Sequence, residues 1–405
     1  MDACASASPG RTVRDDRSVA ALLPIMGVVL VAFLVIGCAM PVLPLHVHDG
    51  LGLGTFLVGL VAGSQFAAAL ISRPWAGHYA DSRGAKRAVV AGLLVAAMSG
   101  LLYLLSLLPV GAPLTSAAIL LLGRLLLGGA ESFVITGAVS WGLALVDEQD
   151  TGRVIAWVGA AMFAAFALGA PAGAVLYDHY GFMAIAWATT LAPLATLVLV
   201  APLAAVAPLS HARSGFTRVL GAVWVPGLGS ALSSVGFGAI TAFVTLLFAE
   251  RGWSNGWLPY TTFAVVFILA RLAFGHLPDR IGGARVALAC VLVEAMGQAL
   301  IWLAPWSALA LLGAALTGLG YSLVYPGFGV EAVLRVPPES RGLAMGAYTA
   351  FLDLALGVGG PVLGLIASGA GLGAVFLASA LVALCSAPIA LWLQTGGRAW
   401  RKGQP

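Results

Sequence analysis

The sequence predicts an all-α membrane protein: twelve transmembrane helices in two pseudo-symmetric six-helix bundles, with a central cavity between the halves. Three observations predict it. Of the 405 residues 60% are hydrophobic and 9% are charged, and the mean hydropathy is +1.01, a balance that water-soluble globules do not reach. Apolar runs of bilayer length follow one another with short polar breaks. A charged stretch at the end of the second run recurs 198 residues later at the end of the eighth.

A helix needs about 20 mostly apolar residues to cross the hydrocarbon core. Lipid offers no partner to an open strand edge, so each run reads as a helix. The first spans 20–46, after a tail (1–19) that carries Arg11, Arg14 and Arg17. Its "VIGC", Val35 to Cys38, imitates a lipoprotein cleavage site, but cleavage there would leave eleven helices where the repeat requires twelve. The second run (55–80) leads into the charged stretch, the third covers 87–108, and the fourth (116–145) holds two ionisable groups, Arg124 and Glu131. The fifth (153–178) contains "LGAPAG", and the sixth (183–206) ends a first bundle at 20–206. A linker, 207–219, leads to a second bundle, 220–394, with runs at 220–249, 257–278, 285–304, 307–334, 343–369 and 372–394, before a tail at 395–405. Several runs exceed the minimum, which predicts tilt.

With the amino terminus placed inside, sixteen of the twenty Lys and Arg residues fall on that side and Arg251 alone on the other; Arg73, Arg124 and Arg271 lie within or at the ends of helices. Basic residues in short loops stay cytoplasmic, so both termini are expected in the cytoplasm of a multi-pass protein of the bacterial inner membrane. The net charge of +4 is then a mark of topology and gives no reason to expect nucleic acid. Cys4, Cys38, Cys290 and Cys385 have no disulfide or metal-ligand spacing. His46, His48 and Asp49 stand too close together to wrap a tetrahedral ion by themselves, so no metal is expected.

The charged stretch "RPWAGHYADSRGAKR", Arg73 to Arg87, sets the repeat. Against "RLAFGHLPDRIGGAR", Arg271 to Arg285, identities fall at one offset: Arg73 with Arg271, Gly77 with Gly275, His78 with His276, Asp81 with Asp279, Gly84 with Gly282 and Arg87 with Arg285. Further along, Gly152 matches Gly342, and Pro171 in "LGAPAG" matches Pro361 in "VGGPVLG", at an offset of 190. Unequal loops account for the drift, so the chain reads as two six-helix halves. Glycine at Gly77 and Gly84 fits close backbone approach and a tight turn.

Twelve helices in two halves, with G-x-x-x-D-x-x-G-x-[KR]-[KR] between the second and third, resemble the major facilitator superfamily and its cytoplasmic-loop signature: Gly77, Asp81, Gly84, Lys86 and Arg87, with Gly275, Asp279 and Arg285 as the degenerate copy. "GRLLLGG", Gly123 to Gly129, is similar to the family's fourth-helix motif. Gly169, Pro171 and Gly173 resemble the fifth-helix motif of its proton-coupled exporters, with Ala170 where that pattern prefers Gly. The residues from Pro41 to Arg87 resemble the YhhS-type, arabinose-transporter-like branch. The resemblance implies secondary transport of a small-molecule solute by a monomer in the lipid bilayer, coupled to protons and directed outward. An importer is the alternative, and a transport-dead sensor on the same fold is a third reading. The chain has no G-x-x-x-x-G-K-[ST] loop, which excludes ATP as the energy source, and no nucleophile with a base, so neither a cofactor nor an enzyme is expected.

Asp81 is placed to face the amino end of the eleventh helix, with Arg341 as an ion-pair partner, and Asp279 to face the start of the fifth and Arg153. A carboxylate at a helix amino end gains about 0.3–1 kcal/mol when exposed and up to about 2 when partly buried. Each pair would latch the halves together on the cytoplasmic side in the outward-open state and separate in the inward-open state.

Ionisable groups inside a membrane are candidates by default. Arg124 and Glu131, two turns apart on one face of the fourth helix, form either a proton or substrate site or a fixed structural bridge. Asp353, on a stripe of small residues with Gly346, Ala350, Gly357 and Gly360, is a second proton site or the partner of a neighbouring hydroxyl. Gln65 is at a depth to bond a polar solute. Trp141, Trp157, Tyr321 and Tyr325 offer aromatic faces. Glu294 and Gln298 fall on the ninth helix, which the resembled fold places at the periphery.

Overall fold

The computed structural model describes residues 9–109, 111–146, 151–206, 216–337 and 340–402. Among them every regular element is a helix, as apolar runs in lipid require. The twelve principal helices are α1 (Pro9–Ala39), α2 (Thr55–Arg83), α3 (Ala85–Ser106), α4 (Pro113–Leu143), α5 (Thr151–Tyr180), α6 (Phe182–Val200), α7 (Phe216–Glu250), α8 (Leu258–Phe274), α9 (Gly283–Leu303), α10 (Ser307–Val333), α11 (Arg341–Ala370) and α12 (Leu372–Leu384), the last continued beyond Cys385 by Ser386–Lys402. Among the described residues eleven spans are long and apolar enough to cross a bilayer; Leu258–Phe274, α8, is the short twelfth.

Proline sets two departures from the expected runs. α8 stops at Phe274 rather than at 278, and a separate turn, Leu277–Ile281, follows. Pro278 brings no N–H to continue the hydrogen-bond ladder. The apolar run after α1 is likewise broken at Pro41 and Pro44 into Leu43–Leu45 and a wider turn, His46–Gly50.

In the first half, α4 packs on α2 and α3, α3 on α6, and α1 on α5 and α6. In the second, α10 packs on α8 and α9, and α7 on α10, α11 and α12. The halves meet chiefly where α2 runs along α11 and α5 along α8. Gly84 (φ +97°) and Gly282 (φ +98°), partners in the sequence repeat, make the same turn in the two halves. That region of backbone space is essentially closed to residues with a Cβ.

Candidate functional site

The end of the bundle that carries Arg83, Lys86, Arg87, Arg280 and Arg285 is called the basic end. Away from it, α2 and α11 close on each other. Thr55 Oγ1 donates to the Gly364 carbonyl at 2.8 Å, a Cβ on Gly59 would overlap the Gly360 carbonyl, and one on Gly63 would lie 2.8 Å from that of Gly357. Lipid supplies no hydrophobic drive between helices, so small residues that let backbones touch make the seam. The seam ends at an ion pair across the halves, Arg73 Nε donating to Asp353 Oδ2 at 2.7 Å. Beyond it the helices part. Cβ atoms on Gly77 and Gly346 would meet nothing within 4 Å, and Asp81 and Arg341 are exposed and unpaired among the described residues.

The second seam is aromatic. Phe163 of α5 stacks on Phe267 of α8 with centroids 3.6 Å apart, and Thr261 Oγ1 donates to the Ala167 carbonyl at 3.4 Å. Toward the basic end a Cβ on Gly159 would again meet nothing within 4 Å. The cleft between the halves is therefore shut at the Thr55 end and open at the basic end.

A polar cluster faces this cleft. Half-buried Glu131 accepts a hydrogen bond from Gln65 Nε2 at 2.7 Å. Gln65 reaches it because Gly128, one turn earlier on α4, brings that helix against the Gln65 carbonyl, and Ser132 Oγ fastens α4 to the Ala69 carbonyl at 2.8 Å. Arg124 is not bonded to Glu131. Its Nε and Nη2 donate to the Val61 and Ala62 carbonyls, each at 3.4 Å, and its Nη1 is buried without a partner. The two residues share a helix face, but the carbonyls of α2 take the guanidinium. Arg73, Arg124 and Asp353 all lie within electrostatic reach of Glu131, and Arg73, Asp353 and Arg271 within reach of Tyr325. The Tyr325 hydroxyl shares a 2.6 Å hydrogen bond with Thr349 Oγ1.

Gln65, Arg124, Glu131, Asp353 and Tyr325 thus come together, joined by Arg73 and Arg271, which the sequence placed within or at the ends of helices and at the heads of the repeated stretch but not in the site. The partner of Asp353 is a guanidinium from the opposite half, not a hydroxyl. The signal was available as two intramembrane charges of opposite sign on the helices that flank the cleft. Trp141 does not face the cleft; it is packed in the first half's core with 2% of its surface exposed. Tyr321 stacks on Phe237 with centroids 5.5 Å apart. Glu294 and Gln298 lie inside the second half, Glu294 bonded by Ser233 and Gln298 Nε2 donating to the Gly236 carbonyl at 3.1 Å.

The repeated loops sit at the basic end. Lys86 Nζ donates to the Ala201 and Leu203 carbonyls at 2.8 and 2.7 Å, closing the end of α6 rather than reaching toward the other half. Arg87, Asp279 and Arg285 are exposed, and the side chain of Arg153 lies outside the described residues. A Cβ on Gly77 would meet nothing within 4 Å here, contrary to the close approach read from its sequence position, because the halves are apart at its level. Gly275 terminates α8. In the fifth-helix motif, a Cβ on Gly169 would lie 2.8 Å from Cys38 N and one on Gly173 would overlap the Cys38 carbonyl, so this motif, with Pro171 inside the helix, seats α5 on α1 within one half. His46 stacks on Phe182, centroids 3.9 Å apart, while His48 Nδ1 lies 2.8 Å from the Leu53 carbonyl.

Comparison with known proteins places this architecture. The family model of the Major Facilitator Superfamily matches residues 25–260 and 227–405. An uncharacterised MFS-type transporter of Salmonella typhimurium is 42% identical over 368 residues, which cover 91% of this chain and 95% of that protein. The uncharacterised MFS-type transporter YhhS of Escherichia coli K12 is 42% identical over 354 residues, 87% of each chain. The crystal structure of a D-xylose–proton symporter superposes with a TM-score of 0.73 at 15% identity, covering 93% of this chain and 96% of that one. The chain belongs to the major facilitator superfamily and is a membrane transporter, not an enzyme.

Proposed function

We propose that this transporter is a monomer of the bacterial inner membrane with both termini cytoplasmic, and that it exports a small organic solute in exchange for protons. The bundles at 20–206 and 220–394 would rock about the cleft, the basic end being cytoplasmic and this conformation inward-open. The observation that carries the reading is Glu131, half-buried at the cleft and held by Gln65, with no cation among the described residues bonded to it. A carboxyl of that kind takes up a proton from one side and releases it when the cleft faces the other, because burial and neighbouring charge change as the halves move. Asp353 would be the second acidic group, engaged by Arg73 in this conformation. Asp81 with Arg341, and Asp279 with Arg153, would latch the cytoplasmic side once the halves close there, the repeated glycines, Lys86, Arg87 and Arg285 shaping the two loops.

The test is a proteoliposome assay with an imposed pH gradient, screened over pentoses, aromatic acids and cationic dyes. Outward-directed accumulation driven by a proton gradient, lost in Glu131→Gln, is expected. Solute movement driven in the same direction as the protons would select the import alternative, and movement indifferent to the gradient would sink proton coupling.

A further inference from the structure

We infer that Arg271 is the anchor for an anionic group on the transported solute, which makes the solute class an organic anion: a carboxylate, sulfonate or phosphonate on a body that lies against an aromatic ring. The inference deepens the proposed transport function and rests on it.

The repeat exposes the anomaly. Arg73 and Arg271 are equivalent by the offset of 198, and Asp353 and Phe163 by the offset of 190. Arg73 pairs across the cleft with Asp353. Arg271 has no such partner, since an aromatic ring stands where its carboxylate would be, and that ring stacks on Phe267 one turn before Arg271 on α8. Among the described residues no carboxylate lies within ion-pair distance of Arg271. A guanidinium has five N–H donors. In this structure one of them is used, Nη1 donating to the Ser322 carbonyl at 3.2 Å, and the side chain remains half-buried.

The neighbourhood gives no compensation. The neighbouring hydroxyls are engaged elsewhere, Tyr325 with Thr349 Oγ1 at 2.6 Å and Tyr348 with the Tyr325 carbonyl at 2.7 Å. Counted over the cluster, three guanidinium groups, Arg73, Arg124 and Arg271, face two carboxyls, Glu131 and Asp353. Glu294 is withdrawn behind Ser233 in the second half. An uncompensated cation at membrane depth is costly. A fork of free N–H donors matches the planar oxygens of an oxyacid. One wall fits the remainder of such a solute: the half-buried ring of Tyr325, whose centroid lies 5.0 Å from that of the buried Tyr348, stands beside Arg271.

The experiment reads the charge of the cleft without needing transport. A cysteine at Gly346, on the Asp353 face of α11 and in open space, is introduced into a chain whose four native cysteines are replaced. Its labelling rates by an anionic and a cationic methanethiosulfonate, the sulfonatoethyl and trimethylammonioethyl reagents, are compared in nanodiscs. Arg271→Gln should lower the anionic-to-cationic rate ratio by about three- to tenfold, as loss of one nearby unit charge implies. Arg271→Lys should keep it within about twofold. In the Gly346→Cys protein with Arg271 intact, millimolar benzoate, benzenesulfonate or phenylphosphonate should slow labelling, while benzamide and benzylamine should not. An unchanged ratio in Arg271→Gln, or protection by none of the three anions, overturns the assignment, and the protection arm stands even if Arg271→Gln does not fold. No proton gradient enters the measurement. Failure here leaves proton coupling intact, and failure of proton coupling in liposomes leaves this result intact.

Discussion

Arg73 on α2 donates to Asp353 on α11 at 2.7 Å, and this ion pair ties the two halves together at the level where the cleft begins to open. Asp353 is 4% exposed and Arg73 23%, so the pair is only partly reached by water. Each partner stranded alone is costly, and the two losses should not add. A double-mutant cycle with Arg73→Gln and Asp353→Asn, read by thermal unfolding in nanodiscs, should give a coupling of about 1–3 kcal/mol. Additive effects would show that the pair does not hold the halves.

The seam above the pair has no room for a side chain at Gly59 or Gly360. Gly59→Val would drive a branched group into the Gly360 carbonyl. Overpacking of this kind costs about 1–3 kcal/mol. It acts only on the conformation closed at the Thr55 end, so the population should move toward the opposite opening. A cysteine at Ala67 should then become more reactive from the Thr55 side in Gly59→Val than in its absence, and equal reactivity would contradict the seam as a gate.

Asp81 is exposed in this conformation, so Asp81→Asn should change its thermal stability by no more than about 0.5 kcal/mol. The same change should weaken the opposite conformation, where the latch is proposed to form, and raise labelling of Gly346→Cys from the basic end. The shift is bounded by the lost interaction, about 1–2 kcal/mol at a partly buried helix end. Unaltered labelling in both Asp81→Asn and Asp279→Asn would remove the latch.

Glu131→Gln keeps an oxygen to accept the Gln65 hydrogen bond, so the variant should fold and bind solute. It should fail to move solute against a gradient yet retain counterflow exchange, which needs no net proton movement. Because Arg124 is bonded to α2 carbonyls rather than to Glu131, Arg124→Ala should not reproduce this phenotype by stranding Glu131. Intact gradient-driven transport in Glu131→Gln would transfer the proton role to Asp353.

Orientation is open to direct labelling, and the backbone selects the sites. Gly84 sits at φ +97°, where a cysteine is strained, so exposed Ser82 is the better position at the basic end and Ser254 at the other. Ser82→Cys should react with an impermeant thiol reagent only from the cytoplasm, and Ser254→Cys only from the opposite side. The reverse pattern would invert the topology.

Much of the fold was legible because it depends on short-range quantities. Run length, the cost of bare backbone in lipid and the internal repeat carry the twelve helices, and the turns at Gly84 and Gly282 were readable as glycine at equivalent positions. Proline at Pro278 explains why α8 ends early, although the apolar run continues past it. For the candidate site the sequence singled out ionisable groups inside the membrane, since such a group stands out by its cost. It did not pair them.

Partnership was decided by the tertiary structure. Helical spacing set Arg124 and Glu131 on one face, yet the close approach of α2 to α4 at Gly128 gave Glu131 to Gln65 and Arg124 to the carbonyls of Val61 and Ala62. Arg73 and Asp353 are 280 residues apart, and only the packing of α2 against α11 brings them together. The sequence by itself determined which groups must be reckoned with in a bilayer, because that follows from transfer energies of single residues. The fold alone decided which charges neutralise one another and which, like Arg271, have no carboxylate at ion-pair distance among the described residues, because an ion pair needs a few ångströms that sequence distance does not encode.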